Sequence, residues 1–226
     1  MNLGLMVAPR MLFILALSTA VIFLPAGSWR FWQGWATLAA FYLPALLAFF
    51  YLLRYDRALV ERRMRSREPL KEQKLLIRLT LLVFLGAALL PGFDRRFGWS
   101  HRLFGDVPAW VTLISLALII GGYLFVFWVL KVNSFAGRTI TVDPGQTVVS
   151  TGPYAWVRHP MYFGSVVLWT FISLALGSWV ALPAFALIIP FFAIRLLSEE
   201  KFLRANLPGY TTYCARTRYH LIPFIW

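Results

Sequence analysis

Long apolar stretches alternate with short polar segments along the whole chain. Six such stretches stand out, at 11–27, 34–53, 75–92, 109–130, 162–177 and 179–197. A helix needs roughly 20 apolar residues to cross the hydrocarbon core of a bilayer, and the first four stretches approach or exceed that length. The pattern therefore predicts an all-α fold, a polytopic membrane helix bundle.

The last two stretches are shorter and are separated only by the turn-like sequence GSW at 177–179. Pro183 and Pro190 interrupt the second of them, so we expect a tight helical hairpin that is tilted or shielded by other helices. No polar region is long enough for a soluble domain. We predict a single integral membrane domain over 1–226, with a four-helix part at 1–130 and a second functional part at 131–226.

Charge orients the predicted bundle. Of the 22 basic residues, 18 flank the loops on one side and 4 flank those on the other, and the richer side is expected to be cytoplasmic. Both termini, 54–74 and 131–161 then face the cytoplasm. The net charge of +13 is explained by contacts with anionic lipid headgroups, so no nucleic-acid partner is expected.

Two features restrict the possible chemistry. The histidines, His101, His159 and His220, lack the short spacing of metal ligands, so we predict no metal site. Cys214 is the single cysteine, which excludes an internal disulfide. Arg10 precedes the first apolar stretch as in a secretory signal, but no A-x-A cleavage site follows, so we expect a membrane span there.

The segment 131–161 combines chain-breaking residues with β-prone runs. RTITV and QTVVS flank a DPG turn, which predicts an ordered loop or short hairpin. Pro160 is expected to open the next helix, with His159 just before it. Tyr154, Trp156 and Tyr162 by themselves are also typical of an aromatic belt at the membrane interface.

Acidic residues are scarce in this chain, and two of them end the last apolar stretch. Arg195 and Glu199 are spaced i, i+4 on one helix face, with Glu200 beside them. They form either an ion pair at headgroup level or part of a functional site. The mixed-charge segment 54–74 is interpreted as a solvated, headgroup-facing helix, and we assign it no chemistry.

Two stretches together carry a more specific pattern. STGPYAWVRHPMY at 150–162, two apolar segments, and RLLSEEKFLRANLPGYTTYCARTRYHLIPF at 195–224 resemble the isoprenylcysteine carboxyl methyltransferase family and its relatives among the phospholipid methyltransferases. The chain is similar to the compact prokaryotic type, which implies a bacterial or archaeal membrane. In the terminal stretch, Gly209 directly precedes Tyr210 without the family's spacer.

The resemblance implies a cytoplasm-facing pocket for S-adenosylmethionine. Arg195 falls where the family places an arginine close to the substrate carboxylate, and His159 is the second candidate catalytic residue. The positions that correspond to cofactor contacts are Gln146, Thr147, Val148, Val149, Tyr154, His159, Pro160, Met161, Tyr162, Glu199 and Glu200.

The expected acceptor is a lipidic or isoprenoid molecule that stays in the membrane. A carboxylate acceptor needs no general base, and the scarcity of bases favours it, whereas an amine would need His159 or Glu200 to remove a proton. Two alternatives stay open: a phospholipid N-methyltransferase, and a sterol-reductase-like membrane oxidoreductase that uses NADPH.

Overall fold

The computed structural model describes residues 3–65 and 71–226, which fold as helices joined by short loops. No strand occurs within these two ranges, so the predicted all-α class is confirmed. The helices are α1 (Leu3–Ala26), α2 (Trp32–Tyr55), α3 (Arg57–Met64), α4 (Lys71–Phe97), α5 (Trp99–Phe104), α6 (Ala109–Val132), α7 (Pro160–Ala175), α8 (Ala181–Ala186), α9 (Ile188–Asn206) and α10 (Tyr210–Arg216).

Five segments are long and apolar enough to cross a membrane: Val7–Ala26, Trp32–Tyr55, Gln73–Phe97, Ala109–Val132 and Ala181–Asn206. The shorter α7, with 16 residues, is a sixth apolar helix. Large apolar side chains cover the outer surface of the bundle; the side chains of Leu12 and Leu47, for example, are 66% and 71% exposed. Such a surface is stable in lipid rather than in water, and the protein is an integral, multi-pass membrane protein.

The predicted hairpin is present, but its second arm is broken and longer than expected. After α7 the chain turns at Gly177, whose φ of +73° is readily adopted by glycine. Two helices then follow in succession, α8 and α9, which meet at Leu187. Because α9 continues to Asn206, Glu199 and Glu200 lie inside a helix rather than at its end.

Helices α6 and α7 pack closely because small residues face each other. A methyl group added at Gly164 would lie 2.5 Å from Cγ2 of Val126, and one added at Gly122 would lie 3.1 Å from Cγ of Leu168. This close approach fixes the start of α7 against the bundle. It thereby places the RHPMY motif next to the loop that follows α6.

Of the two predicted forms of 131–161, an ordered loop or a short hairpin, the structure has the loop, which occupies 133–159 and contains a 3-10 turn at Gly152–Ala155. The DPG turn itself forms, because the amide of Gln146 donates to the carbonyl of Asp143 at 3.0 Å. Its two arms do not pair. Instead, carbonyl groups of the loop accept hydrogen bonds from arginine side chains, such as that from Arg62 to Ser134 at 2.9 Å.

The segment 54–74 is also more than the solvated, headgroup-facing helix that the sequence predicts. Residues 66–70 lie outside the described part of the chain, but the preceding helix α3 packs on the loop after α6. Leu59 on this helix is fully buried, and Val60 is nearly so. We call the side of the bundle that carries α3, residues 133–159 and α10 the basic side, which the charge distribution predicts to be cytoplasmic.

Candidate active site

A pocket opens on the basic side between the loop after α6, the start of α7, α9 and α10. Ten of the eleven predicted cofactor positions line it: Gln146, Thr147, Val148, Val149, Tyr154, His159, Pro160, Met161, Tyr162 and Glu199. We call it the cofactor pocket, after the predicted cofactor positions that line it. Its volume is about 90 Å³, while sites for drug-sized ligands enclose roughly 300–1,000 Å³, so a ligand of that size enters only if the lining segments move apart.

The acidic group of this pocket is held by an aromatic hydroxyl. Tyr162 donates to Oε2 of Glu199 at 2.7 Å, which joins the first turn of α7 to α9. This hydrogen bond orients one oxygen of the carboxylate and does not involve the other. A carboxylate in such a position can accept hydrogen bonds from hydroxyl or ammonium groups of a ligand.

Tyr154 forms the aromatic wall of the pocket. Its hydroxyl accepts a bond of 3.0 Å from Nδ2 of Asn133, and its carbonyl accepts one of 2.8 Å from the hydroxyl of Tyr213. Burial raises the pKa of the Tyr154 phenol to about 12. The group therefore stays neutral at physiological pH, and a neutral aromatic ring in the wall of a pocket can attract a cation.

His159 lies at the N-cap of α7, with Pro160 as the first helical residue, as predicted. Its backbone amide donates to the carbonyl of His220 at 2.9 Å, so the carboxy-terminal segment holds it in place. The imidazole is 4% exposed. Its Nε2 lies 3.5 Å from both the Tyr210 hydroxyl and Oε2 of Glu200.

Glu200 lies apart from the cofactor pocket, unlike its neighbour Glu199. Its Oε2 atom lies 3.1 Å from Nε of Arg158 and 3.3 Å from Nε2 of His220, and its Oε1 lies 2.6 Å from Nη2 of Arg204. Glu200 and these three partners are absent from the lining of the cofactor pocket, to which the neighbouring His159 belongs. The geometry gives Glu200 the role of supporting the RHPMY motif rather than a position in contact with a ligand.

A second cavity of about 590 Å³ lies on the other side of Met161, Tyr162 and Glu199, which line both spaces. We call it the acceptor cavity, after the lipidic acceptor that the sequence predicts. Its walls are mostly apolar and come from α4, α6, α7 and α9, with Phe84, Leu81, Trp169, Phe191 and Phe192 among them. Its polar end carries Arg63, Arg138, Arg195 and Glu199.

Arg195 therefore faces the acceptor cavity rather than the cofactor pocket. Its Nη1 atom donates to Oε1 of Gln73 at 3.0 Å, and its Nη2 donates to the carbonyl of Arg138 at 2.8 Å. These bonds connect α9 to α4 and to the loop after α6. They fix the guanidinium at the boundary between apolar lining and the basic side.

The loop that carries the cofactor positions is fastened to α3 by a pair of arginines. Nε of Arg62 and Nη1 of Arg65 each lie 2.7 Å from a carboxylate oxygen of Asp143. Burial alone would raise the pKa of Asp143, but hydrogen bonds from both arginines outweigh it, and the pKa lies below its ordinary value. The guanidinium of Arg62 also lies 4.7 Å from the centre of the Phe135 ring.

Several pocket residues were not predicted from the sequence. Asn133 and Phe135 precede the recognised motif, and Tyr210 belongs to the GYTTY stretch, where the tyrosine was noted but given no role. Arg62, Arg63 and Arg65 lie in the segment 54–74, which the sequence predicts to be a solvated, headgroup-facing helix. Basic and apolar residues are mixed along RALVERRM of α3 as they are along any surface helix. Only the fold therefore shows that these arginines contact the loop.

Comparisons with known proteins agree with this architecture. Residues 110–208 match the family model described as phospholipid methyltransferase. The fold matches a solved structure of the eukaryotic intramembrane Ras methyltransferase, isoprenylcysteine carboxyl methyltransferase, with a TM-score of 0.50 and 16% identity. That match covers 96% of this chain and 86% of the other chain. The family model matches less than half of this chain, and the solved structure shows that the two proteins share a fold. Both findings agree with the predicted resemblance to the isoprenylcysteine carboxyl methyltransferase family and its relatives among the phospholipid methyltransferases.

One curated protein is also similar, the Delta(14)-sterol reductase TM7SF2 of Mus musculus. It is 29% identical over 129 residues, which cover 50% of this chain. The aligned part spans only 30% of the reductase, so this chain corresponds to less than a third of that protein. The similarity concerns a shared portion of the two chains and carries no substrate with it.

Proposed function

We propose that this protein transfers a methyl group from S-adenosylmethionine to the carboxylate of a lipidic acceptor. The observation that carries the proposal is the pair of spaces that meet at Met161, Tyr162 and Glu199. One is polar and opens on the basic side, whereas the other is apolar and lies among the membrane helices. A water-soluble cofactor and a membrane-bound acceptor can approach the shared wall from different phases.

The donor set of the cofactor pocket suits S-adenosylmethionine. Aromatic faces such as those of Tyr154 and Tyr210 attract a sulfonium by about 0.5–2 kcal/mol. Glu199 can accept from the ribose hydroxyls or the ammonium group, and Tyr162 orients it for this. The pocket must widen to admit the whole molecule, and the loop between Asn133 and Val149 is the wall without regular structure.

When bound, S-adenosylmethionine supplies a methyl group activated by its sulfonium, which passes to an oxygen of the acceptor while S-adenosylhomocysteine is released. An ionised carboxylate carries its own lone pair, so the protein moves no proton. Arg195 holds that carboxylate at the polar end of the acceptor cavity. The remaining task of the chain is to align the two reactants and exclude water.

Two alternatives make different demands on the same residues. The family name of the match over 110–208 favours N-methylation of a phospholipid, in which His159 would remove the proton of the amine. The similarity to a sterol reductase favours a nicotinamide cofactor in the same pocket. A methyl donor and a hydride donor differ in charge, since the reduced nicotinamide has no sulfonium cation for the aromatic wall.

Calorimetric titration of the detergent-solubilised protein tests the proposal at the level of the cofactor. We expect saturable binding of S-adenosylmethionine that competes with S-adenosylhomocysteine, and no saturable binding of NADPH. The Glu199→Gln variant should bind the cofactor more weakly. Binding of NADPH without binding of S-adenosylmethionine would replace the proposal with the oxidoreductase alternative.

A further inference from the structure

Arg63 is a partly buried arginine of α3 whose guanidinium contacts the loop after α6 and the start of α7. Its Nη1 atom donates to the carbonyl of Ala136 at 3.1 Å and contacts Sδ of Met161 at 3.5 Å. Met161 separates the cofactor pocket from the acceptor cavity. The guanidinium of Arg63 therefore lies at the wall where methyl transfer is proposed to occur.

The charge of Arg63 is not balanced by a nearby acid. Within residues 3–65 and 71–226, no carboxylate oxygen of an ion pair lies within 4.0 Å of it, whereas its neighbour Arg62 is paired with Asp143 at 2.7 Å. Burial lowers the pKa of Arg63 to about 10, and the positive charge of Arg138 lowers it as well. At physiological pH the group is still a cation, held in a place where an anion would stabilise it.

Basic side chains outnumber acidic ones among the described residues that line the acceptor cavity. Among its described lining residues, Arg63, Arg138 and Arg195 are basic and Glu199 is acidic. Tyr162 already donates a hydrogen bond to one oxygen of Glu199. A sulfonium bound next to this wall would add a further positive charge, so the cavity is matched to an anionic head group and disfavours an ammonium.

We propose that Arg63 is a second anion-binding residue of the acceptor cavity, which acts with Arg195 to select a lipid with a carboxylate head over a neutral or amine-headed one. This inference rests on the proposed function, because it takes the acceptor cavity as the site of the lipid. A carboxylate has two oxygens that accept several hydrogen bonds, and guanidinium groups match that planar geometry. The apolar walls of the cavity accommodate the chain of the lipid.

Binding of matched lipids to the whole protein in detergent tests the inference. The probes are a C15 isoprenoid carboxylic acid and the corresponding C15 alcohol, titrated by quenching of tryptophan fluorescence. The wild-type protein should bind the acid at least about tenfold more tightly than the alcohol, since hydrogen bonds to charged groups contribute about 1.5–3 kcal/mol. The Arg63→Gln variant should lose most of this preference and keep its affinity for the alcohol.

Two further variants separate binding from folding. Arg63→Lys retains the charge without the planar fork and should keep an intermediate preference. Arg57→Gln removes an exposed arginine from the same helix, one that lies 3.7 Å from Glu61, and should behave as wild type. The inference is overturned if Arg63→Gln still prefers the acid as wild type does, if it weakens both lipids equally, or if wild type does not distinguish them.

Titration of the same samples with S-adenosylmethionine keeps the two proposals apart. A preference for the acid that depends on Arg63, in a protein that does not bind S-adenosylmethionine, would contradict the proposed function and leave the role of Arg63 intact. Binding of S-adenosylmethionine with no effect of Arg63 on lipid choice would do the reverse.

Discussion

The Tyr162 hydroxyl lies 2.7 Å from Oε2 of Glu199, and this hydrogen bond joins two residues 37 positions apart at the wall shared by the two cavities. Tyr162 comes from the RHPMY motif and Glu199 from the motif at the end of the helical hairpin. The turn after α7 folds the two motifs onto one another. Their separation in the sequence is thus the length of the hairpin.

Replacing Glu199 with glutamine should weaken binding of S-adenosylmethionine about tenfold or more, because the pocket loses the only carboxylate among its described lining residues. Calorimetry on the solubilised protein measures the effect. Tyr162→Phe should have a smaller effect, since it only frees the carboxylate to rotate. Glu61→Gln on the exposed face of α3 is the control, and equal affinities in all four proteins would remove Glu199 from the cofactor site.

Replacing Arg195 with lysine or glutamine should change the acceptor step and not cofactor binding. Arg195 lines the acceptor cavity and is absent from the lining of the cofactor pocket. We expect kcat/KM for the acceptor to fall about a hundredfold for Arg195→Gln. The fall should be smaller for Arg195→Lys, because lysine keeps the positive charge and lacks only the planar fork that binds a carboxylate. A large loss of S-adenosylmethionine affinity with normal acceptor kinetics would show that Arg195 acts in the cofactor pocket and not in the acceptor cavity.

Replacing Glu200 with glutamine should destabilise the protein as well as weaken cofactor binding. The change leaves the guanidinium of Arg158 buried without its charged partner, a loss of about 3 kcal/mol or more for a buried ion pair. Thermal unfolding in detergent measures this loss. Glu199→Gln serves as the comparison, because its side chain faces a cavity and its unfolding temperature should stay near that of wild type.

Asp94 should be important for stability on the opposite side of the bundle. Its buried carboxylate accepts hydrogen bonds from the amide of Ser100 at 2.6 Å and from the hydroxyls of Ser100 and Ser178. These bonds connect α4 and α5 to the turn of the hairpin. Asp94→Ala should lower the free energy of unfolding by about 2–3 kcal/mol, while the affinity for S-adenosylmethionine at low temperature should be unchanged.

The attachment of the cofactor loop to α3 should depend on pH. The pKa of Asp143 is lower in the folded protein than its ordinary value of 3.8, so the folded state binds fewer protons than the unfolded chain. The stabilisation is therefore fully present above pH 3.8 and is lost as pH falls through and below that value. Unfolding temperature measured from pH 6 to pH 3 should fall less steeply for Asp143→Asn than for wild type.

The sequence predicted the membrane bundle well because its signal depends on length and composition. Runs such as 109–130 and 34–53 correspond to α6 and α2, with ends displaced by at most two residues. The hairpin was predicted from GSW, but the extension of its second arm to Asn206 was not, because the polar residues after Arg195 are atypical of a membrane helix. The part of α9 after Arg195 is held in place by tertiary contacts, which hydropathy does not reveal.

The candidate site was predictable where a motif supplied it and not where packing did. The motif residues His159, Tyr162 and Glu199 meet at one pocket. By contrast, no periodicity distinguishes Arg62 and Arg63, which reach the loop and the acceptor cavity, from Arg57, which stays at the surface. The β-prone run QTVVS was misleading for the same reason, because strand propensity has no effect without a partner strand.

The most direct measurement is transfer of label from S-adenosylmethionine carrying a tritiated methyl group to the C15 isoprenoid acid, in detergent or in vesicles that contain the purified protein. We expect a labelled product that releases volatile methanol in mild alkali, as a methyl ester does. Glu199→Gln and Arg195→Gln should reduce the yield about tenfold or more. A wild-type protein that labels no lipid acid, or whose lipid product keeps its label in alkali as an N-methyl group does, would contradict the account.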